Sequence, residues 1–406
     1  MAETLTQQQD SYLPPPAPPG AIKWIRDNLF KGWLNTLLTL ISAVGLYFAI
    51  SRSLIWFFAQ ADWTPIINFP ILFSVGQYPR EELWRIGGVL SALALLLGFS
   101  WSHWGGLLRG VSLYAGAMFL VLGALPVSHP ALTPSMRVFL ISLPATILLA
   151  FWIGRWRFVS KRMVMALWLV YPFFSLLLIR GLAGSAVLEL VSTTLWGGLL
   201  VTFVLSIGGI VICFPIGVAL ALGRRSKLPV VSAISTFFIE TIRGVPLITL
   251  LFLFSVVLAL FLPPDARLDR LLRALIAMTI FSAAYMAENV RGGLQAIPPG
   301  QEEAAKALGM NGVQITALIV LPQALRIVIP TIVGQFITLF KDTTLVYIVG
   351  VNDFLGIGRS IVNSNPAYLQ AQLEVYLFIA AIYWIFSYLM SLASRRLETS
   401  LGVGKR

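Results

Sequence analysis

The chain has 406 residues, 58% of them hydrophobic and only 11% charged, with a net charge of +12. Soluble domains carry about 25% charged residues, so a soluble globular protein is excluded and lipid is the solvent for most of the fold. A single cysteine, Cys213, and two histidines exclude a disulfide framework within the chain and give no basis for a metal cluster; the positive charge fits basic loops beside a membrane better than a nucleic-acid patch.

Residues 1 to about 22 are polar and then proline-rich, from Pro14 to Gly20, and are expected to form a disordered tail. No basic-then-apolar pattern opens the chain, so no secretory signal peptide is expected. Ala21 to Trp33 mixes Trp24, Ile25, Leu29 and Phe30 with Lys23, Arg26 and Lys31, the pattern of an amphipathic helix on a membrane surface. Long apolar segments follow, about ten in all: Leu34–Phe57, Leu83–Ser100, Gly106–Leu125, Met136–Ile153, Met163–Ile179, Leu195–Leu222, Val230–Leu262, Ala274–Val290, Leu325–Val349 and Val375–Leu392. The fold class is therefore an all-α membrane protein, a polytopic bundle of about ten transmembrane helices.

Basic clusters set the orientation. Lys23, Arg26 and Lys31 precede the first span, Arg155, Arg157, Lys161 and Arg162 follow the fourth, Arg224, Arg225 and Lys227 follow the sixth, and Arg395, Arg396, Lys405 and Arg406 close the chain. An even number of spans with both termini cytoplasmic puts all of these inside, as the positive-inside rule requires. The loop with Arg267, Arg270 and Arg273 falls outside, partly offset by Asp265 and Asp269.

The first five spans hold few charges and have aromatic ends (Trp84, Trp101, Trp104, Trp152, Trp156), which reads as lipid-facing helices with interfacial anchors. Charge appears inside the later spans. Glu240 and Arg243 stand three apart in the seventh, just before Gly244 and Pro246, which bend or break a helix. Tyr285, Glu288 and Arg291 close the eighth. Lys341, Asp342, Thr343 and Thr344 interrupt the ninth. Charges inside a span are costly and face the bundle interior or a wet cavity. They either line a pathway or neutralise each other to hold spans together. A free amino acid is a zwitterion, so a site for it needs both signs. An arginine suits its carboxylate, and Glu240 or Asp342 suits its ammonium.

Between the eighth and ninth spans lies Pro298 to Pro322. Pro298 and Pro299 suit a helix start, Glu302 and Glu303 meet its positive end, Gly309 is a stop, and Asn311 caps the next helix. The pair Ala304-Ala305 offers a closely approachable face. An ordinary helical hairpin accounts for the same residues.

The spacing of Glu303, Ala304, Ala305, Gly309, Ile319, Leu321 and Pro322 resembles the coupling motif of ABC importer permeases. Further segments resemble the polar amino-acid subgroup. These are Glu240-x-x-Arg243-Gly244-x-Pro246-Leu247, Ser282-Ala283-Ala284-Tyr285-x-x-Glu288-x-x-Arg291-Gly292-Gly293, Leu321-Pro322-Gln323-Ala324-x-Arg326 and Lys341-Asp342-Thr343-Thr344-Leu345. Thr344 stands where the family commonly has serine, and the Gly334-Gln335 region lacks an asparagine often found there. The resemblance runs from about Leu195 to Arg396. It implies a five-helix type I permease core over residues 191–396 with a coupling loop at 298–322, an N-terminal extension at 34–190, a tail and interfacial helix at 1–33, and a cytoplasmic tail at 397–406.

The resemblance also implies a function: a permease subunit importing polar amino acids across the bacterial inner membrane. Its expected partners are a separate ATPase that binds the ATP and magnesium, an extracytoplasmic binding protein and a second permease, non-identical to judge by the long extension. Glu303, Ala304, Ala305, Gly309, Leu321 and Pro322 would then couple to the ATPase. Glu240, Arg243, Lys341, Asp342 and Thr343 would line the substrate pathway, with Tyr285, Glu288 and Arg291 as further candidates. The chain itself offers no phosphate-cradling loop: Gly402-Val403-Gly404-Lys405 has no helix after it, and Gly356-x-Gly358 reads as an outer turn. His103 and His129 stand alone and read as non-catalytic. The alternative function is an ion-coupled amino-acid transporter acting alone, with the buried acids carrying the ion.

Overall fold

A computed structural model of the protein describes residues 20–124, 133–156, 159–261, 263 and 268–402. The proline-rich tail before Gly20, His129, Arg157, Asp265, Arg267, Lys405 and Arg406 lie outside the described residues, as do Leu125 and Leu262. Among the described residues every regular element is helical. The chain divides into two compact units between Asp62 and Trp63.

The first unit holds α1 (Ala21–Leu29) and α2 (Trp33–Ile55), the latter closing in a π turn at Trp56–Gln60. The surface helix expected over Ala21–Trp33 is shorter than that. Gly32, at φ +88, turns the backbone, and Trp33 opens the next helix. The Thr39 hydroxyl donates to the Leu29 carbonyl at 2.7 Å and ties the two together.

The second unit begins with two short helices, α3 (Thr64–Asn68) and α4 (Pro70–Val75), each with a proline in its first two positions. Four apolar helices follow: α5 (Leu83–Trp104), α6 (Gly106–Ala124), α7 (Pro134–Ile153) and α8 (Lys161–Arg180). Next come α9 (Gly198–Arg224), α10 (Pro229–Arg243), α11 (Leu247–Phe252), α12 (Leu258–Phe261), α13 (Arg270–Gln295), α14 (Pro299–Ala307), α15 (Gly312–Gln314), α16 (Leu321–Asp342), α17 (Phe354–Ser364) and α18 (Gln372–Leu401). Among the described residues, eight helical stretches are long and apolar enough to cross a membrane. A bent pair makes a ninth, and Leu108–Ala124 is a shorter apolar helix. Each of the ten expected segments therefore has its helix.

The seventh segment is not one straight helix. Pro229–Arg243 and Leu247–Phe261 meet at 104° across Gly244-Val245-Pro246. Proline cannot donate to the turn before it, and glycine opposes none of the resulting bend.

Packing follows small residues. A Cβ on Gly217 of α9 would lie 2.6 Å from the Met286 Cβ of α13, and one on Gly293 would lie 2.6 Å from the Ala324 carbonyl of α16. In α5, a Cβ on Gly98 would lie 2.6 Å from Ala150 of α7. With lipid tails as apolar as leucine, such close backbone approach is what holds spans together.

The segment before α5 joins this packing rather than lying at its edge. Phe73 of α4 is 3% exposed and meets Phe354 and Phe378 edge-on, with centroids 5.6 and 5.3 Å away. The chain entering α9 passes between α4 and α17. The Gly197 N–H donates to the Val75 carbonyl, and the Gly198 N–H donates to the Asn352 carbonyl, both at 3.1 Å. Only glycine fits this crossing, because a Cβ on Gly76 (φ +70) would sit 2.5 Å from the Gly197 Cα. Close by, fully buried Arg85 pairs with Glu82 at 2.6 Å and donates to the Glu189 carbonyl at 2.7 Å. The Tyr78 hydroxyl donates to the Ile179 carbonyl at 2.7 Å, and burial raises its pKa.

Candidate functional site

The segment between α13 and α16 is an elbow closed by its own hydrogen bonds. Pro298 caps α14, and Glu302 lies in its first turn, with Glu303 just beyond. Gly309, at φ +78, ends the helix. Its N–H donates to the Lys306 carbonyl at 2.9 Å, while the Met310 N–H reaches the Ala305 carbonyl at 3.2 Å. These two bonds are the Schellman pattern, and only glycine adopts its left-handed turn freely. Two residues later Asn311 and Gln314 form a capping box, each side chain accepting from the other's backbone N–H at 2.9 Å. The second helix is not a separate stub. From Gly312 it continues through a π turn at Ile315–Val320 into α16.

The elbow has an inner and an outer side. Ala305 is 4% exposed and packs with Leu294, Ile315 and Val320, so only Ala304 of the small pair faces out. Glu303, Ala304 and Pro322 are exposed, and Leu321 is half-buried. Leu308 and Val313 are 82% and 78% exposed, an apolar display on the loop between two spans. Leu321 and Val313 also line a hollow of about 320 Å³ with Leu222 and Thr316. Arg225, in the loop after α9, pairs with Glu302 of α14.

One residue along, Arg224 enters a second constellation. Its guanidinium lies 2.8 Å from Glu240 of α10 and 3.5 Å from Glu288 of α13. Glu288 also pairs with Arg291 on its own helix, and Arg243 approaches it to 3.8 Å. Arg243 sits over the Tyr285 ring at 5.5 Å, and its buried Nε has no hydrogen-bond partner. Three arginines thus face two glutamates, leaving one positive charge over. Glu240 and Arg243 share α10, but Glu240 pairs with Arg224 of α9 and Arg243 approaches Glu288 of α13, so the contacts run across three helices. Because Arg224 is the last residue of α9, the cluster lies near one end of the spans and not at their middle. Glu240 is 53% and Arg224 26% exposed on their side chains, so such a pair adds at most about 1 kcal/mol of stability.

Lys341, Asp342 and Thr343 stand apart from this cluster. Lys341 is exposed and Asp342 partly buried, and neither makes an ion pair among the described residues. Thr343, fully buried, begins a 3₁₀ stretch at the end of α16. Its hydroxyl donates to the Phe340 carbonyl at 2.8 Å and lies 3.2 Å from the Tyr383 hydroxyl, which donates to Asp353 at 3.1 Å. Asp353, also fully buried, caps α17 by accepting from the Gly356 N–H at 2.9 Å. The Gly356-x-Gly358 stretch read as a turn is therefore the first part of a helix. Arg224, Asp353 and Tyr383 were not singled out from sequence, although an acid just before an apolar run is a capping signal.

The family described as "Binding-protein-dependent transport system inner membrane component" matches residues 213–403. The inner membrane amino-acid ABC transporter permease protein YhdY of Escherichia coli is 36% identical over 95% of this chain and 94% of its own length. The chain belongs to the amino-acid ABC transporter permeases. The Rhodobacter capsulatus glutamate/glutamine/aspartate/asparagine transport system permease protein BztC is 36% identical over 99% of both chains. The probable glutamine ABC transporter permease protein GlnP of Bacillus subtilis matches 50% of this chain at 36% identity, over 92% of its own length. A crystal structure of an amino acid ABC transporter has a chain 31% identical to this permease, covering 49% of it and 92% of that chain, with a TM-score of 0.44. The permease is thus a multi-pass inner-membrane transport protein, and the motifs at 240–247, 282–293, 298–326 and 341–345 fall within the residues that the family matches.

Proposed function

We propose that this permease imports polar amino acids as one of two non-identical permease subunits, driven by ATP hydrolysed in a separate ATPase that binds the nucleotide and magnesium. An extracytoplasmic binding protein delivers the substrate, and both termini are cytoplasmic. The observation that carries the reading is the elbow at 298–322, whose spacing is that of the coupling motif and whose fold is fixed at Gly309 and Asn311. Glu303, Ala304, Gly309 and Pro322 present its outward side to the ATPase, while Ala305 and Leu321 anchor it to the bundle. When the ATPases close on nucleotide, the elbow moves as a lever, and α13 and α16, which flank it, move with it.

Substrate chemistry rests on the similarity to BztC, the permease of a glutamate/glutamine/aspartate/asparagine transport system, and on the mixed charge of the cluster. Arg243, with a free buried Nε, offers a donor for a carboxylate, and Glu240 and Asp342 offer acceptors for an ammonium. Lys341 and Thr343 continue the pathway, with Tyr285, Glu288 and Arg291 beside Arg243. The test is uptake into proteoliposomes holding the permease with its ATPase, binding protein and partner permease. Glu303→Lys and Gly309→Pro each lose at least tenfold in uptake while the chain still inserts. Full uptake with both variants refutes the coupling assignment.

A further inference from the structure

Helices α6 and α18 meet at one end of the bundle, where α6 begins and α18 closes. Between them lies an open cleft of about 380 Å³ lined by Gly106, Arg109, Gly110, Leu113, Tyr114 and Arg396. Gly110 makes the convergence possible, because a Cβ there would collide with the Arg396 guanidinium. Neither arginine side chain has an ion-pair or hydrogen-bond partner among the described residues.

Among the described residues no acid pairs with either arginine. Glu398, the acid closest along α18, accepts from the Ser394 hydroxyl at 2.9 Å. His103, at the same end of α5, is engaged with the Val159 carbonyl at 2.9 Å. Arg155, just after α7, does not line the cleft and stacks on Phe151 and Trp152. Two unpaired guanidinium groups from different spans therefore face one cleft, beside an apolar wall and a phenol. Arginine is the side chain best shaped to grip a phosphate, through its planar fork. Tyrosine prefers the headgroup level, and basic pockets between spans take anionic headgroups.

We infer that this cleft binds the headgroup of an anionic phospholipid, its phosphate held between Arg109 and Arg396 and its acyl chains along Leu113 and Tyr114. The lipid bridges a helix of the N-terminal extension to the last helix of the core. A zwitterionic headgroup would set its own cation against two arginines and is disfavoured. The inference needs only that the helices span a membrane, so it stands or falls separately from the transport reading.

The full chain, purified in detergent, is titrated with phosphatidylglycerol, with phosphatidylcholine of the same tails, and with inorganic phosphate. Bound lipid is counted by native mass spectrometry, and thermal unfolding reports stabilisation. One phosphatidylglycerol binds saturably and raises the unfolding temperature. Arg109→Gln and Arg396→Gln each weaken its binding about fivefold, and together about 25-fold, while Arg155→Gln leaves it unchanged. Lipid-free unfolding of the variants checks that they fold. Equal binding of both lipids, or no loss in the double variant, overturns the site. Inorganic phosphate stabilising as strongly as the lipid overturns the lipid source.

Discussion

Helices α13 and α8 both cross the membrane, and they do so with opposite side chains. Of the most apolar window of α13, 56% is buried, against 11% for α8. Hydrophobicity does not explain this, since α13 carries Glu288, Arg291 and Ser282 while α8 is rich in leucine and phenylalanine. What α13 has is small side chains. Ala274, Ala277, Ala283, Ala284, Ala287 and Gly293 are all buried, and they let α9 and α16 close to backbone contact. Helix α8 instead turns Leu169 and Phe173 outward, 71% and 66% exposed. In a bilayer, large apolar side chains face lipid at no loss, and the interior goes to residues that permit close approach.

Three substitutions break or sharpen this contrast. Gly293→Leu in α13 has the largest expected effect, about 3 kcal/mol of destabilisation, because the new side chain meets the Ala324 carbonyl of α16. Thermal unfolding of the purified permease measures it, and a shift no larger than that of a lipid-facing variant would sink the small-residue account. Gly98→Leu makes the same intrusion between α5 and α7, with an expected loss of about 2 kcal/mol. It is smaller because few of α7's own residues are buried, so the helix can move outward into lipid. A loss equal to that of Gly293→Leu would show the extension to be as tightly held as the core. Leu169→Ala in α8 should change stability by less than about 0.5 kcal/mol, since it trades one lipid contact for another.

How much was readable in the sequence follows from the range of the forces involved. Helix existence was legible, because each span announces itself by its own length and apolarity. The elbow was legible in detail, with Pro298, Gly309 and Asn311 acting through local backbone chemistry. The bend at Gly244 and Pro246 was legible as a break, but its 104° angle depends on what α10 and α11 pack against. The pairing of Glu240 with Arg224 was not legible, because spacing along one helix says nothing of neighbours on others. Arg224 looked like one charge in a basic loop, yet it ends α9 beside two acids. Gly356 and Gly358 suggested a turn. They lie inside the helix that Asp353 caps, and they are glycine because Tyr347 and Ile379 press against them and leave no room for a larger side chain.

The elbow at Gly309 and Asn311 has one further consequence. Both helix ends that meet there are sealed from within, so in the proposed coupling role the segment comes to the ATPase with its contour already set. Little freedom is then lost on association, and a small contact can bind firmly. A push on such a stiff corner is carried through to the spans behind it instead of being absorbed as local unravelling.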